Sequence, residues 1–129
     1  MGLSEGLVDT SVFVAAERGA NLDPILPEVV VVSVITVGEL IAGVLAAADA
    51  STRAARLATL SLAQRFDPID VDQDVAAAWA RLRTELVARQ RRMPVNDSWI
   101  AATAMALRIP IVTLDDDYVE VPGLTVIRG

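Results

Sequence analysis

The chain contains no cysteine, no histidine and no lysine, so that each of its 11 basic residues is an arginine. Every one of these absences removes a class of chemistry. Without Cys or His there is no zinc site of the usual nitrogen and sulfur type, no Ser-His-Asp triad and no thiol nucleophile. Without Lys there is no phosphate-loop lysine, no Schiff base and no kinase-type phosphate lysine. Long apolar runs are also missing: the richest stretch, Val29 to Ala48, is broken by Ser33, Thr36 and Glu39 and falls short of a membrane span. The start, Met1 to Glu5, lacks the basic region of a secretory leader, and the expected location is the cytoplasm. What remains for demanding catalysis is carboxylates, hydroxyls and arginine. Carboxylate oxygens suit hard cations such as Mg²⁺ and Mn²⁺, so a catalytic site here would be an acid cluster with a metal.

The chain has 129 residues, 53% apolar and 22% charged, which is ample material for one buried core, and we read residues 1–129 as a single domain. A net charge of -6 speaks against a protein that coats polyanions with a broad basic face. It is compatible with a nuclease, because an acidic metal site carries much negative charge itself and is neutralised when cations bind.

Strand and helix patterns alternate along the chain. Leu7-Val8-Asp9 reads as a strand, followed by a helix from Thr10 that stops near Gly19. The β-branched run Val29 to Ser33 reads as a strand buried on both faces. A helix over Val37 to Ala48 follows, then one capped by Ser51 and running to about Gln64, and a short strand within Asp67 to Val71. Asp72 or Gln73 opens a long helix to about Arg89, with Val75, Trp79, Leu82 and Leu86 on its packed stripe. Asp97 to Leu107 is an Ala-rich helix, Ile109 to Thr113 a strand, Asp115 to Asp117 a turn, and Leu124 to Ile127 a final strand. This order implies an α/β fold with a mainly parallel central sheet covered on both faces, a three-layer α/β/α arrangement.

In open parallel sheets the functional crevice lies beyond the carboxyl ends of the strands. Asp9 ends the first strand, Glu39 follows the second, Asp97 opens the Ala-rich helix, and Asp115 and Asp117 follow the strand that ends at Thr113. These segments converge on one end of the sheet. Clustered carboxylates repel and raise one another's pKa, a penalty that a divalent cation reverses. Each acid also has a plainer reading. Asp9 before Thr10-Ser11 fits a helix cap, Thr36-Val37-Gly38-Glu39 fits a capping box, Asn96-Asp97-Ser98 fits a cap signal, and Asp115-Asp116-Asp117 fits a solvated turn. Their common placement favours a site.

These residues resemble the PIN-domain ribonucleases, and within them the VapC-type toxins of bacterial toxin–antitoxin pairs. The resemblance rests on Leu7 to Phe13, Val37-Gly38-Glu39-Leu40, Asn96 to Ala104 and Ile111 to Tyr118, in that order along nearly the whole chain. It implies a PIN-like fold in which Asp9, Glu39, Asp97 and Asp115 are the catalytic, metal-binding acids, with Asp117 a supplementary ligand and Thr10 or Ser11 supporting the site. It implies Mg²⁺- or Mn²⁺-dependent endonucleolytic cleavage of RNA, a homodimer, and inhibition by a cognate antitoxin protein, with Arg89, Arg91 and Arg92 helping to hold RNA or that antitoxin. Two points depart from the family pattern. Its first strand often starts almost at the initiator Met, so residues 1–6 are expected to be an added or disordered leader. Ile41 and Leu114 are apolar where polar or basic residues are common.

A response-regulator receiver domain would need a lysine that the chain lacks, and a haloacid-dehalogenase phosphatase would need an Asp where Ser11 stands. The stronger rival is a PIN-like interaction module without catalysis, which the full set of acids disfavours. Trp79 reads as core, Trp99 and Tyr118 as packing or as walls of the cleft.

Overall fold

The described residues, 3–129 of a computed structural model, run in the order β1 (Glu5–Val8), α1 (Thr10–Glu17), β2 (Val29–Val31), α2 (Val34–Leu45), α3 (Ala50–Gln64), α4 (Gln73–Ala88), α5 (Val95–Leu107), β3 (Ile111–Thr113) and β4 (Val126–Arg128). Successive strand residues point to opposite faces, and this alternation sorts the core into two halves. Leu7 of β1 sits beside Ile111 of β3, and both enter a core with Val75, Ala78, Leu82 and Leu86 of α4 and Ile100 to Ala104 of α5. Val8 sits beside Val112, and both enter a second core with Val12, Phe13, Leu40 and Ala63 from the first three helices. The result is a three-layer α/β/α fold.

All pairings in the four-stranded sheet are parallel, and the strand order is β2-β1-β3-β4. The chain therefore leaves β1 in one direction to build β2 and returns to its other side to build β3. That reversal opens a crevice at the carboxyl ends of β1 and β3. Asp9 directly follows β1, and Leu114 to Asp117 directly follow β3.

Several local expectations are corrected. The strand expected over Val29 to Ser33 ends at Val31 and forms the edge of the four-stranded sheet, with Val29 52% exposed rather than buried on both faces. Its neighbour within Asp67 to Val71 contributes only one parallel bridge, Ser33 to Ile69. The second helix begins at Val34, because the Ser33 hydroxyl accepts the Ile35 amide at 3.0 Å. Thr36 is thus interior to the helix, and no capping box involves Glu39. Asp49, not Ser51, caps α3, accepting the Thr52 amide at 2.8 Å. Two of the residues expected to form a leader, Glu5 and Gly6, belong to β1, while Met1 and Gly2 lie outside the described residues.

Helix α5 controls the depth of the site. Ile100, Ala101, Ala102 and Ala104 are fully buried, and their small side chains bring the helix close to the sheet and to α4. Pro94 occupies the N-cap position, which makes Asp97 the third residue of the helix. Trp79 is half-buried and packs against the core. It stacks on Trp99 with ring centroids 4.5 Å apart and planes at 4°, and its Nε1 donates to the Ser98 hydroxyl at 3.1 Å.

Candidate active site

Asp9 occupies the N-cap position of α1, yet its side chain caps nothing. Its two oxygens accept instead from hydroxyls, Ser11 Oγ at 2.6 Å and Thr113 Oγ1 at 2.7 Å. Those hydroxyls in turn accept backbone amides from the segment after β3, Leu114 N–H to Ser11 Oγ at 3.0 Å and Asp115 N–H to Thr113 Oγ1 at 2.9 Å. The loop that carries Asp115 is thereby tied to Asp9 through two relays. Asp9 is only 2% exposed, and burial raises its pKa, with the Ser11 and Thr113 hydroxyls partly offsetting that rise.

Glu39 projects from the second turn of α2 across to α1, where Thr10 Oγ1 donates to Oε1 at 2.6 Å. The Thr10 hydroxyl also lies 3.0 Å from that of Thr36, and Asn96 Nδ2 reaches Glu39 Oε2 at 3.5 Å. Asp115 accepts the Asp117 amide at 2.8 Å, an Asx turn that folds the acidic segment back on itself. Arg128 donates to the Tyr118 carbonyl at 2.6 Å and anchors the far end of that turn.

Asp9, Glu39, Asp97 and Asp115 line one cleft of about 570 Å³. Asp117 does not line it, but carboxylate oxygens of Asp97, Asp115 and Asp117 all lie within 4.8 Å of one another. Asp97 shows the strain of this crowding. Burial, then the charges of Asp115, Glu39, Asp9 and Asp117, push its pKa up to about 7. The Asp117 pKa is also raised, by its hydrogen bond and its repulsion with Asp115. Uncompensated acids held this close favour a cation, and donors made only of oxygen, without nitrogen or sulfur, fit a hard divalent ion.

Two further side chains at the site were missed in the sequence. Thr113 reads there as one more strand residue, and only the parallel register shows its hydroxyl reaching Asp9 across 104 positions. Arg18 reads as a helix end, but it lines the same cleft. Leu114 also lines the cleft, so the apolar departure noted there falls on the site itself, whereas Ile41 is not among the lining residues. Tyr118 is buried at 2% exposure. Burial and then the charge of Asp9 raise its pKa, yet among the described residues no acceptor meets its hydroxyl in good hydrogen-bonding geometry. Of the arginines near the α4 end, Arg89 pairs with Glu85 at 3.4 Å along the helix, while Arg91 and Arg92 line a separate groove.

Paired hydroxyl relays, converging carboxylates and a parallel sheet with its crevice at β1 and β3 define the class. The PIN-domain family profile matches residues 6–124, and the chain belongs to that family. Its relatives are more specific. It is 46% identical to ribonuclease VapC4 of Mycobacterium tuberculosis over 129 residues, 98% of each chain, and 46% identical to ribonuclease VapC5 of the same organism over 92% of this chain and 88% of that protein. The crystal structure of VapBC-5 from M. tuberculosis, a member of the VapBC family of toxin–antitoxin systems, aligns with a TM-score of 0.89 at 42% identity, covering 98% of this chain and 99% of that one. No helix among the described residues is long and apolar enough to cross a membrane.

Proposed function

We propose that this protein is a metal-dependent endoribonuclease, the toxin of a type II toxin–antitoxin pair, which hydrolyses RNA phosphodiester bonds in the cytoplasm. The observation that carries the reading is the gathering of Asp9, Glu39, Asp97 and Asp115 on one cleft, with carboxylate oxygens of Asp97, Asp115 and Asp117 within 4.8 Å of one another. In this reading Asp97, Asp115 and Asp117 hold Mg²⁺ or Mn²⁺, and Asp9 and Glu39 complete the acidic wall. When bound, the cation supplies Lewis acidity toward a phosphate oxygen and acidifies water so that a nucleophile exists at neutral pH. The chain's own groups do the rest. Ser11 and Thr113 hold Asp9 in one rotamer, Thr10 holds Glu39, and the Asx turn fixes Asp115 relative to Asp117. Arg18 offers a charge-assisted contact to an RNA phosphate entering the cleft.

An antitoxin protein is the expected regulator, as in the VapBC complex that this fold matches. Exposed apolar side chains on the packed pair α2 and α3, Ile41, Leu45 and Leu57, suit such a protein partner or a second copy in a homodimer. Cleavage of a mixed cellular RNA pool with Mg²⁺, Mn²⁺ or EDTA, beside Asp97→Asn, tests the reading. Discrete metal-dependent fragments that vanish in the variant support it. A folded protein that neither cleaves nor binds metal would leave the interaction module as the better account.

A further inference from the structure

The end of α4 and the start of α5 enclose a second concavity of about 550 Å³, lined by Arg83, Gln90, Arg91 and Arg92 over a floor of Leu86 and Met93. Among the described residues, no acid lines it. In a chain of net charge -6 this is an unusual concentration of one sign. The ion pair found among the described residues draws Glu85 to Arg89, on the helix outside the groove, and leaves the three groove arginines without a carboxylate partner.

The groove is also built rather than incidental. Arg83 lies over the Trp79 ring at 5.2 Å from its centroid, and Trp79 is itself fixed by stacking on Trp99 and by its bond to Ser98. A guanidinium so planted loses less freedom when it meets a ligand. Arg91 is placed by the helix terminus: Gln90 adopts a left-handed backbone, φ 53°, and the Arg91 amide returns to the Leu86 carbonyl at 2.9 Å. Residues other than glycine adopt that conformation infrequently. It is commonly retained where it positions a functional group.

Ser98 lines this groove, and its neighbour Asp97 lines the acidic cleft, so the first turn of α5 stands between the two. We propose that the groove binds the phosphodiester backbone of single-stranded RNA flanking the cleaved bond, an inference that rests on the nuclease reading of the cleft. A single polyanionic strand fits both places, since a cation receives its phosphates in the cleft and arginines receive them in the groove. An acidic peptide would suit the groove alone.

The test measures binding of a fluorescein-labelled, mixed-sequence single-stranded RNA across a salt series, in the full-length Asp97→Asn background. Cleavage then does not interfere, and a failure of the nuclease reading stays separate because it is scored on the wild-type protein. Adding Arg91→Gln and Arg92→Gln is expected to weaken binding at least tenfold and to flatten the slope of log affinity against log salt by about 0.7 for each phosphate that is no longer neutralised. Adding Arg65→Gln and Arg108→Gln instead changes net charge equally, on the opposite layer and at the far end of α5, and is expected to leave the affinity within twofold. Equal weakening in both double variants, or none in the groove variant, would overturn the proposal. A groove variant that keeps RNA affinity but no longer binds a labelled oligoglutamate peptide would also overturn it and assign the groove to an acidic protein segment.

Discussion

Asp97→Asn should make the metal-free protein more stable while destroying its activity. Asp97 has an ordinary carboxylate pKa of 3.8 when unfolded and about 7 when folded, so between these values the folded chain holds a proton that the unfolded chain has released. Stability is therefore highest at the acidic end of this window and falls as pH rises through 7. A shift of this size corresponds to about 4 kcal/mol in full. Because Asp97 is only half-buried, solvent screening reduces it to about 1–2 kcal/mol. Asparagine keeps the volume and removes the charge, so the variant escapes the whole penalty at pH 8 and progressively less of it as pH falls toward 3.8, below which the carboxyl is neutral in both the folded and the unfolded chain. At about 4 °C per kcal/mol, thermal melts in EDTA should differ by about 4–8 °C at pH 8 and converge toward about pH 3, below the unfolded pKa. Saturating Mn²⁺ should reverse the order at pH 8, because the cation stabilises only a chain with its carboxylates intact. A variant no more stable than wild type at pH 8 in EDTA would refute the reasoning that burial and repulsion strain this acid.

Thr113→Val preserves shape but withdraws a donor from buried Asp9, and urea titration should show a loss of about 2–3 kcal/mol together with weakened cleavage. Tyr118→Phe removes a buried hydroxyl without a well-placed acceptor; stability should be unchanged or rise by about 1 kcal/mol, and a clear loss would reveal a bond to Asp9 that the geometry does not show. Arg18→Gln is expected to raise KM for RNA about tenfold with a smaller change in kcat, as removal of a phosphate contact should, and equal falls in both parameters would assign it another role.

Element types were legible where periodicity or composition is strong. The apolar stripe of α4, the Ala-rich α5 and the β-branched strands all carry patterns that only one secondary structure satisfies. Helix starts were less legible, since Ser33, Thr36, Asp49 and Ser51 are all capable caps and tertiary packing chooses among them. Starting α2 at Val34 moves Glu39 from a capping position to the second turn, where it faces Thr10. The convergence of Asp9, Glu39, Asp97 and Asp115 followed from one rule about parallel sheets. The hydroxyl relays did not, because Ser11 and Thr113 become partners only through the register that sets Val8 beside Val112. Arg18 shows the same limit: nothing local distinguishes an arginine at a helix end in solvent from one beside a cleft.

The pairing of β1 with β3 has a consequence for how the protein is made. Asp9 follows the first strand of the sheet, whereas Thr113, one of the two hydroxyls that orient it, lies 104 positions further on and is followed by Asp115 and Asp117. Synthesis proceeds from the N-terminus, and a nascent chain that has not yet released Ile111 to Asp117 has no cleft at all. Activity would thus appear in one step once β3 and the acidic segment after it have emerged, so a ribosome producing this enzyme is not exposed to it while the preceding elements are being made. Early termination would be equally harmless, since fragments ending before β3 contain Asp9, Glu39 and even Asp97 but cannot gather them around Asp115.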